Sequence, residues 1–116
     1  MAQLPRVSIL IPVYNEKESL PELHQRLVTV MVEQGDPFEI IYVNDGSTDG
    51  SADVLDACFA GDARVQVIHF RKNFGKAAAL SAGFSIARGV ELITLDADLQ
   101  DLPEEIPRFL DKLHEG

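Results

Sequence analysis

The sequence predicts one α/β domain: a parallel, doubly wound sheet of about four strands with helices on both faces. Three observations lead there. Strand-like and helix-like segments alternate four times along 116 residues. The strand segments are short, rich in β-branched residues and apolar throughout, the pattern of strands buried on both faces. Polar clusters at 12–16, 44–49, 70–75 and 96–100 each follow a strand, at the end where ligands bind in such sheets.

Val7–Val13 (VSILIPV) reads as the first strand, and Pro12, which has no N–H, is expected to end its pairing. Ser19-Leu-Pro-Glu22 reads as a capping box with Ser19 as N-cap and Glu22 at N3. Leu20, Leu23, Leu27, Val30 and Met31 then recur at helical spacing until Gly35 stops the helix. Phe38–Val43 is the second strand, and Asn44–Ser51 (NDGSTDGS) is a turn by composition. A short helix over Ala52–Phe59 leads to the third strand, Val65–Phe70. The loop Arg71–Gly75 precedes a helix of small residues, Lys76–Ala87, which can lie close to the sheet and is expected to end at Gly89. Leu92–Leu95 is the fourth strand. Asp101 or Leu102 then precedes Pro103, a first-turn proline that opens the last helix. Pro107 falls within its first turns, where a kink is permitted but not required.

Composition narrows the function. The length is that of one domain and is enough for a hydrophobic core without staples. With 46% apolar and 25% charged residues, disorder is a poor reading. The formal charge of −9 argues against nucleic acid and anionic membrane surfaces as partners, since both need a basic face. No apolar run approaches the roughly 20 residues that span a bilayer. The start has an apolar stretch but no small-residue cleavage site, so no signal peptide is expected. The lone Cys58 has no internal disulfide partner, and a cytoplasmic location is expected. The charge is also segregated. Residues 63–90 contain no Asp or Glu but hold Arg64, Arg71, Lys72, Lys76 and Arg88, while seven acids and two bases follow from Asp96 onward. Two solvated surfaces would give this pattern, and so would a site that holds an anion beside a metal cation.

Four constellations could carry chemistry. Asp96-Ala-Asp98 follows an apolar strand, and on extended chain its two carboxylates face the same way. Close carboxylates repel unless a cation intervenes, and a hard divalent ion shared with substrate phosphates is the usual answer. Gln100 continues the alternation and could add a neutral oxygen. The plainer alternative is an acidic loop that caps the next helix. In Asn44–Asp49, Asp45 sits where the strand stops and could accept hydrogen bonds from a nucleobase edge, while Asp49 suits a cap. In Pro12–Glu16, Tyr14 offers an aromatic face and Glu16 a carboxylate to a base or ribose; both could equally serve local packing and the helix dipole. In Arg71–Lys76, Lys and Arg stand at a helix N-terminus, a phosphate-favouring arrangement that also fits a solvated basic loop. His24, His69 and His114 lack zinc spacing. Cys58 reads as a packed residue rather than a nucleophile.

Taken together, VSILIPVYNEKESL, IIYVNDGSTDGS, RKNFGKAAALSAGF and ITLDADLQDLPEEIP resemble the family 2 glycosyltransferases of GT-A (Rossmann-like) fold, from Val7 to about Pro107. DADLQDLPEE most resembles the branch of dolichol-phosphate mannose synthases and bacterial undecaprenyl-phosphate glycosyltransferases, with Leu102 where that branch usually has a first proline. The resemblance implies that Pro12, Tyr14, Glu16, Asp45, Arg71, Lys76 and Asp96 line a nucleotide pocket. It implies that Asp96, Asp98 and Gln100 hold Mg²⁺ or Mn²⁺ on a UDP- or GDP-sugar, with Asp98 in the catalytic role. Transfer would be inverting and metal-dependent, with a polyprenyl phosphate as acceptor. Asn44 stands where many members have a first Asp, so no role is carried onto it. Domains of this family run to roughly twice this length. Residues 1–116 are therefore expected to be the nucleotide-sugar-binding half of a truncated GT-A domain, whose full-length protein is expected at the cytoplasmic face of a membrane.

The alternative is a nucleotide-binding module without turnover, because the acceptor half is absent. A nucleotidylyltransferase would open with a Gly-rich basic loop after the first strand, and a haloacid-dehalogenase-type phosphotransferase would put its paired Asp there; neither is present. An open sheet edge and an uncovered apolar face predict a homo-oligomer.

Overall fold

The computed structural model describes residues 4–115 and contains strands β1 (Val7–Val13), β2 (Phe38–Asn44), β3 (Val65–His69) and β4 (Glu91–Thr94). Helices α1 (Leu20–Gln34), α2 (Ser51–Gly61) and α3 (Lys76–Ile86) connect them, and α4 (Ile106–His114) follows. All pairings are parallel, in the order β3-β2-β1-β4. The chain winds outward from β1 to β3, then crosses back to add β4 on the other side of β1. That reversal makes the β1–β4 boundary the topological switch point.

Alternation along β1 builds a core on each face. Ile9, Ile11 and Val13 join Ile40 and Tyr42 against Leu23 and Leu27 of α1, Leu55 of α2 and Leu110 of α4. Leu10, Ile41 and Val43 meet Ala79 of α3 on the opposite face. α3 lies close because its residues are small: a Cβ on Gly83 would stand 2.8 Å from Leu10 Cδ2.

Pro12 acts on one side of its strand only. The β1–β2 register runs to Val13↔Asn44, whereas β1–β4 stops at Leu10↔Thr94. The Leu10 carbonyl accepts from Leu95 on the β4 side, and the Val13 carbonyl accepts from Asp45 on the β2 side. Peptide groups alternate in direction, so the missing N–H of Pro12 falls on the β4 side. The two strands part there, and a groove opens.

Three local expectations change. Ser19 is the N-cap of α1 but makes no side-chain cap bond. Its hydroxyl donates to the carbonyl of Ala97 at 2.5 Å instead, and Glu22 pairs with Arg26. A contact between distant loops thus replaces the capping box. α3 ends at Ile86, not at Gly89, with Ala87 already extended. The reason is a buried polar cluster: the Glu39 carboxylate accepts from Ser8 Oγ at 2.6 Å, Arg88 N–H at 2.7 Å and Gln66 Nε2 at 2.9 Å. Gly89 N–H donates to Ser8 Oγ at 2.8 Å, which draws the chain onto the sheet. Finally, a 3₁₀ turn at Pro103–Glu105 precedes α4, which starts at Ile106 with Pro107 in its first turn, where the lost N–H costs no helical bond.

Candidate functional site

The groove beyond the parted ends of β1 and β4 has a volume of about 380 Å³. Pro12, Tyr14 and Glu16 line it from the loop after β1, and Asp45 from the end of β2. Asn73, Gly75 and Lys76 come from the β3–α3 loop and the start of α3, and Asp96 and Asp98 from the loop after β4. Segments far apart in sequence converge because parallel strands bring all their carboxyl ends to one edge. A larger cavity of about 470 Å³ lies between β4 and α4, with Ile93, Leu95 and Phe109 on its walls beside Asp101, Glu105 and Lys112. What sets the groove apart is its place beyond the strand ends at the switch point, where Asp45, Lys76, Asp96 and Asp98 line one space.

Asp45 is 4% exposed, and its carboxylate holds the neighbouring loop. It accepts from Phe74 N–H at 2.7 Å, Gly75 N–H at 3.0 Å and Asn73 Nδ2 at 3.1 Å. A carboxylate has about four lone-pair positions, so Asp45 is first a brace, with room left for about one more donor. Gly46 permits this closeness: at φ 73°, a Cβ there would stand 2.3 Å from the Lys72 carbonyl carbon.

Lys76 Nζ donates to Asp96 Oδ1 at 2.6 Å, and that bond holds the ammonium above its usual pKa. The lysine also stands in the first turn of α3, where unpaired backbone N–H groups favour an anion. Burial, then the negative charge of Asp98, pushes the Glu16 carboxyl above its usual range, and Asp49 and Asp96 add to the effect. Several carboxylates thus gather in this corner of the groove, with Lys76 paired to Asp96.

The alternation expected over 96–100 does not persist. The chain turns at Leu99, which has φ 64° and packs against the main core. Asp98 Oδ1 accepts from Gln100 N–H at 3.1 Å across that turn. Asp96 and Asp98 remain together in the groove, while the Gln100 side chain lines the β4–α4 cavity instead. Arg71 is exposed in the β3–α3 loop and is not part of the groove wall. Among the described residues, no three His, Cys, Asp or Glu side chains cluster so as to hold a metal by themselves.

The loop that carries Tyr14 and Glu16 is cast against the β2–α2 turn. Asn15 N–H donates to Ser47 Oγ at 3.0 Å, Thr48 N–H to Asn15 Oδ1 at 2.8 Å, and Glu16 N–H to Ser51 Oγ at 3.2 Å. Lys17 N–H donates to Asp49 Oδ2 at 3.1 Å, and Asp49 Oδ1 accepts from Ser51 N–H at 3.0 Å in a helix-entering role. Asn15 is left-handed at φ 53°, a conformation that Asn tolerates better than most residues.

The model of the family described as "Glycosyl transferase family 2" matches residues 8–116. The chain belongs to glycosyl transferase family 2. Undecaprenyl-phosphate 4-deoxy-4-formamido-L-arabinose transferases of Salmonella typhimurium and Salmonella newport are 47% identical to it over 116 residues, 99% of this chain. The chain spans about a third, 36%, of the length of these curated relatives. Among solved structures, the mannosyltransferase PcManGT from Pyrobaculum calidifontis, in complex with GDP-Man and Mn²⁺, superposes with a TM-score of 0.76 at 25% identity, over 96% of this chain and 33% of that one. S. aureus TarS in complex with UDP-GlcNAc gives 0.73 at 20% identity, over 95% and 31%, and shows the fold alone.

In this family 2 chain the resemblance inferred from the four motifs therefore holds, and so does the GT-A type of sheet. Sequence reading missed Asn73, which ties Asp45 to the loop, and Asn15, Ser47 and Ser51, which join two loops. The only available signal for them was composition typical of turns. Ser19 takes the N-cap position as expected, but its hydroxyl links to the loop holding Asp96 and Asp98.

Proposed function

We propose that this chain forms the donor-binding part of a metal-dependent, inverting glycosyltransferase that moves a sugar from a UDP- or GDP-sugar to a polyprenyl phosphate. The observation that carries the reading is the meeting of Asp96, Asp98 and Lys76 at the switch-point groove of a family 2 fold. The relatives' names supply the acceptor class.

The donor set suits a hard divalent ion. Asp96 Oδ2 and Asp98 Oδ2 have no hydrogen-bond partner among the described residues, and their negative charge reaches Glu16 in the same groove. Two carboxylates, with no cluster of three His, Cys, Asp or Glu among the described residues, fit Mg²⁺ or Mn²⁺ completed by diphosphate oxygens. When bound, the ion would neutralise charge that builds on the departing nucleoside diphosphate. The chain's own groups do the rest. Lys76 and the N-terminus of α3 offer positive charge to the phosphates, Tyr14 and Glu16 flank the nucleoside, and Asp45 holds the loop that shapes the pocket floor. A polyprenyl phosphate is ionised near neutral pH, so as nucleophile it needs little help from a base.

Calorimetric titration of UDP and GDP in the presence of Mn²⁺ tests this reading. Metal-dependent binding of one nucleotide is expected, weakened at least about tenfold by Asp98→Ala. Failure of both nucleotides to bind in Mn²⁺, with Asp98→Ala unchanged from the parent, would end it. Coverage of only 36% of the relatives favours a second reading for the chain in isolation: binding without turnover. Sugar transfer by the purified 116-residue chain would refute that second reading.

A further inference from the structure

A second polar chain runs behind the groove, outside the residues given a role above. Asn44 is 4% exposed and immediately precedes Asp45. Its Oδ1 accepts from Ser47 N–H at 3.0 Å, and its Nδ2 lies 3.0 Å from His69 Nδ1 at the end of β3. His69 Nε2 lies 2.7 Å from Asp56 Oδ1 on α2.

These contacts fix every donor. A backbone N–H can only donate, so the atom facing Ser47 N–H must be the amide oxygen. The amide NH₂ then faces His69 Nδ1, which must present a lone pair. The ring proton is left on Nε2, where the Asp56 carboxylate accepts it. Reversing the Asn44 amide would set two N–H donors against each other at Ser47. The series Asp56–His69–Asn44–Ser47 thus has one consistent arrangement. Beyond it, Ser47 Oγ receives Asn15 N–H at 3.0 Å, next to Tyr14 and Glu16 in the groove wall.

We propose that His69, with its proton on Nε2, is a positioning residue for the nucleotide site: it orients Asn44, and through Ser47 and Asn15 it sets the loop that carries Tyr14 and Glu16. The inference rests on the nucleotide-binding reading of the groove. Among the described residues the His69 ring is hydrogen-bonded to Asn44 and Asp56, and it acts on the site through Asn44. A neutral hydrogen bond of this kind is worth about a fivefold change in affinity.

The experiment has one arm that needs no ligand and one that does. In long-range ¹H–¹⁵N spectra of the chain at neutral pH, His69 is expected to show a protonated Nε2 and an unprotonated Nδ1. His69→Ala is expected to reduce hydrogen-exchange protection of Ser47 N–H, and His69→Asn to retain it, because the new amide oxygen can take the place of Nδ1 as acceptor. Calorimetry with UDP or GDP and Mn²⁺ is expected to give a Kd about fivefold higher for His69→Ala and near the parent value for His69→Asn. A proton on Nδ1 overturns the proposal, as does a His69→Asn variant as impaired as His69→Ala, or a His69→Ala variant with unchanged Ser47 protection and affinity. If the parent chain binds neither nucleotide, the reading of the groove fails, while the ring tautomer and the Ser47 protection still decide whether Asn44 is held as described.

Discussion

At the scale of single residues, the site depends on positions where chain and loop crowd together. Gly46 is the clearest: its left-handed φ and the 2.3 Å approach to the Lys72 backbone leave no space for a methyl group. Gly46→Ala is expected to destabilise the fold by about 3 kcal/mol or more, combining backbone strain with a clash against an element that cannot rotate away. Urea denaturation with an unchanged midpoint would show that the β3–α3 loop yields instead. The turn composition of Asn44–Ser51 and the place of Gly46 in a tight turn were legible from sequence, but the crowding at Gly46 was not. That crowding comes from Lys72 and Asn73, which arrive in the β3–α3 loop.

At the scale of elements, Glu39 fastens β2 to β1, β3 and the α3–β4 loop. Burial alone would raise its carboxyl, but hydrogen bonds from Ser8, Arg88 N–H and Gln66 outweigh it and hold Glu39 below the ordinary 4.5. A carboxyl depressed in the folded state contributes stability that is present above the unfolded value and is lost as pH falls through the folded one. The chain is expected to lose stability from about pH 5 downward for this reason. Glu39→Gln should cost about 1–3 kcal/mol at neutral pH and little in acid, flattening the acid slope. Denaturant midpoints of both proteins at two pH values check this; equal slopes would assign the acid loss to other groups. Strand existence and order were readable because apolar β-branched runs are local signals. The end of α3 and the first turns of α4 were not, since Glu39 and Pro107 act through neighbours and helix geometry.

At the scale of the whole molecule, the radius of gyration of 13.4 Å is that of a compact chain of this length. The described sheet nevertheless has two edges, β3 and β4, each paired on one side only. Near the β4 edge, Val90 is 82% and Phe109 59% exposed, with Leu92 and Leu113 also uncovered. Self-association that grows with concentration is expected; light scattering that reports a monomer across the soluble range would rule it out. The net charge of −9 opposes this association, so added salt should promote it. Among the described residues no helix is long and apolar enough to cross a membrane.

By itself the sequence determined the α/β class, the parallel order of alternation and the four strand-end clusters, because apolar period and turn chemistry are written in neighbouring residues. It also determined that Asp96 and Asp98 stay together, since two positions separate them. Only the tertiary structure decided which clusters meet. It brought Tyr14, Glu16, Asp45 and Lys76 to those acids, sent Gln100 to another cavity at the Leu99 turn, and left Arg71 outside the wall. The physical reason is that a groove is made of contacts between segments tens of residues apart, and parallel register, close backbone approach and shared hydrogen bonds fix those contacts.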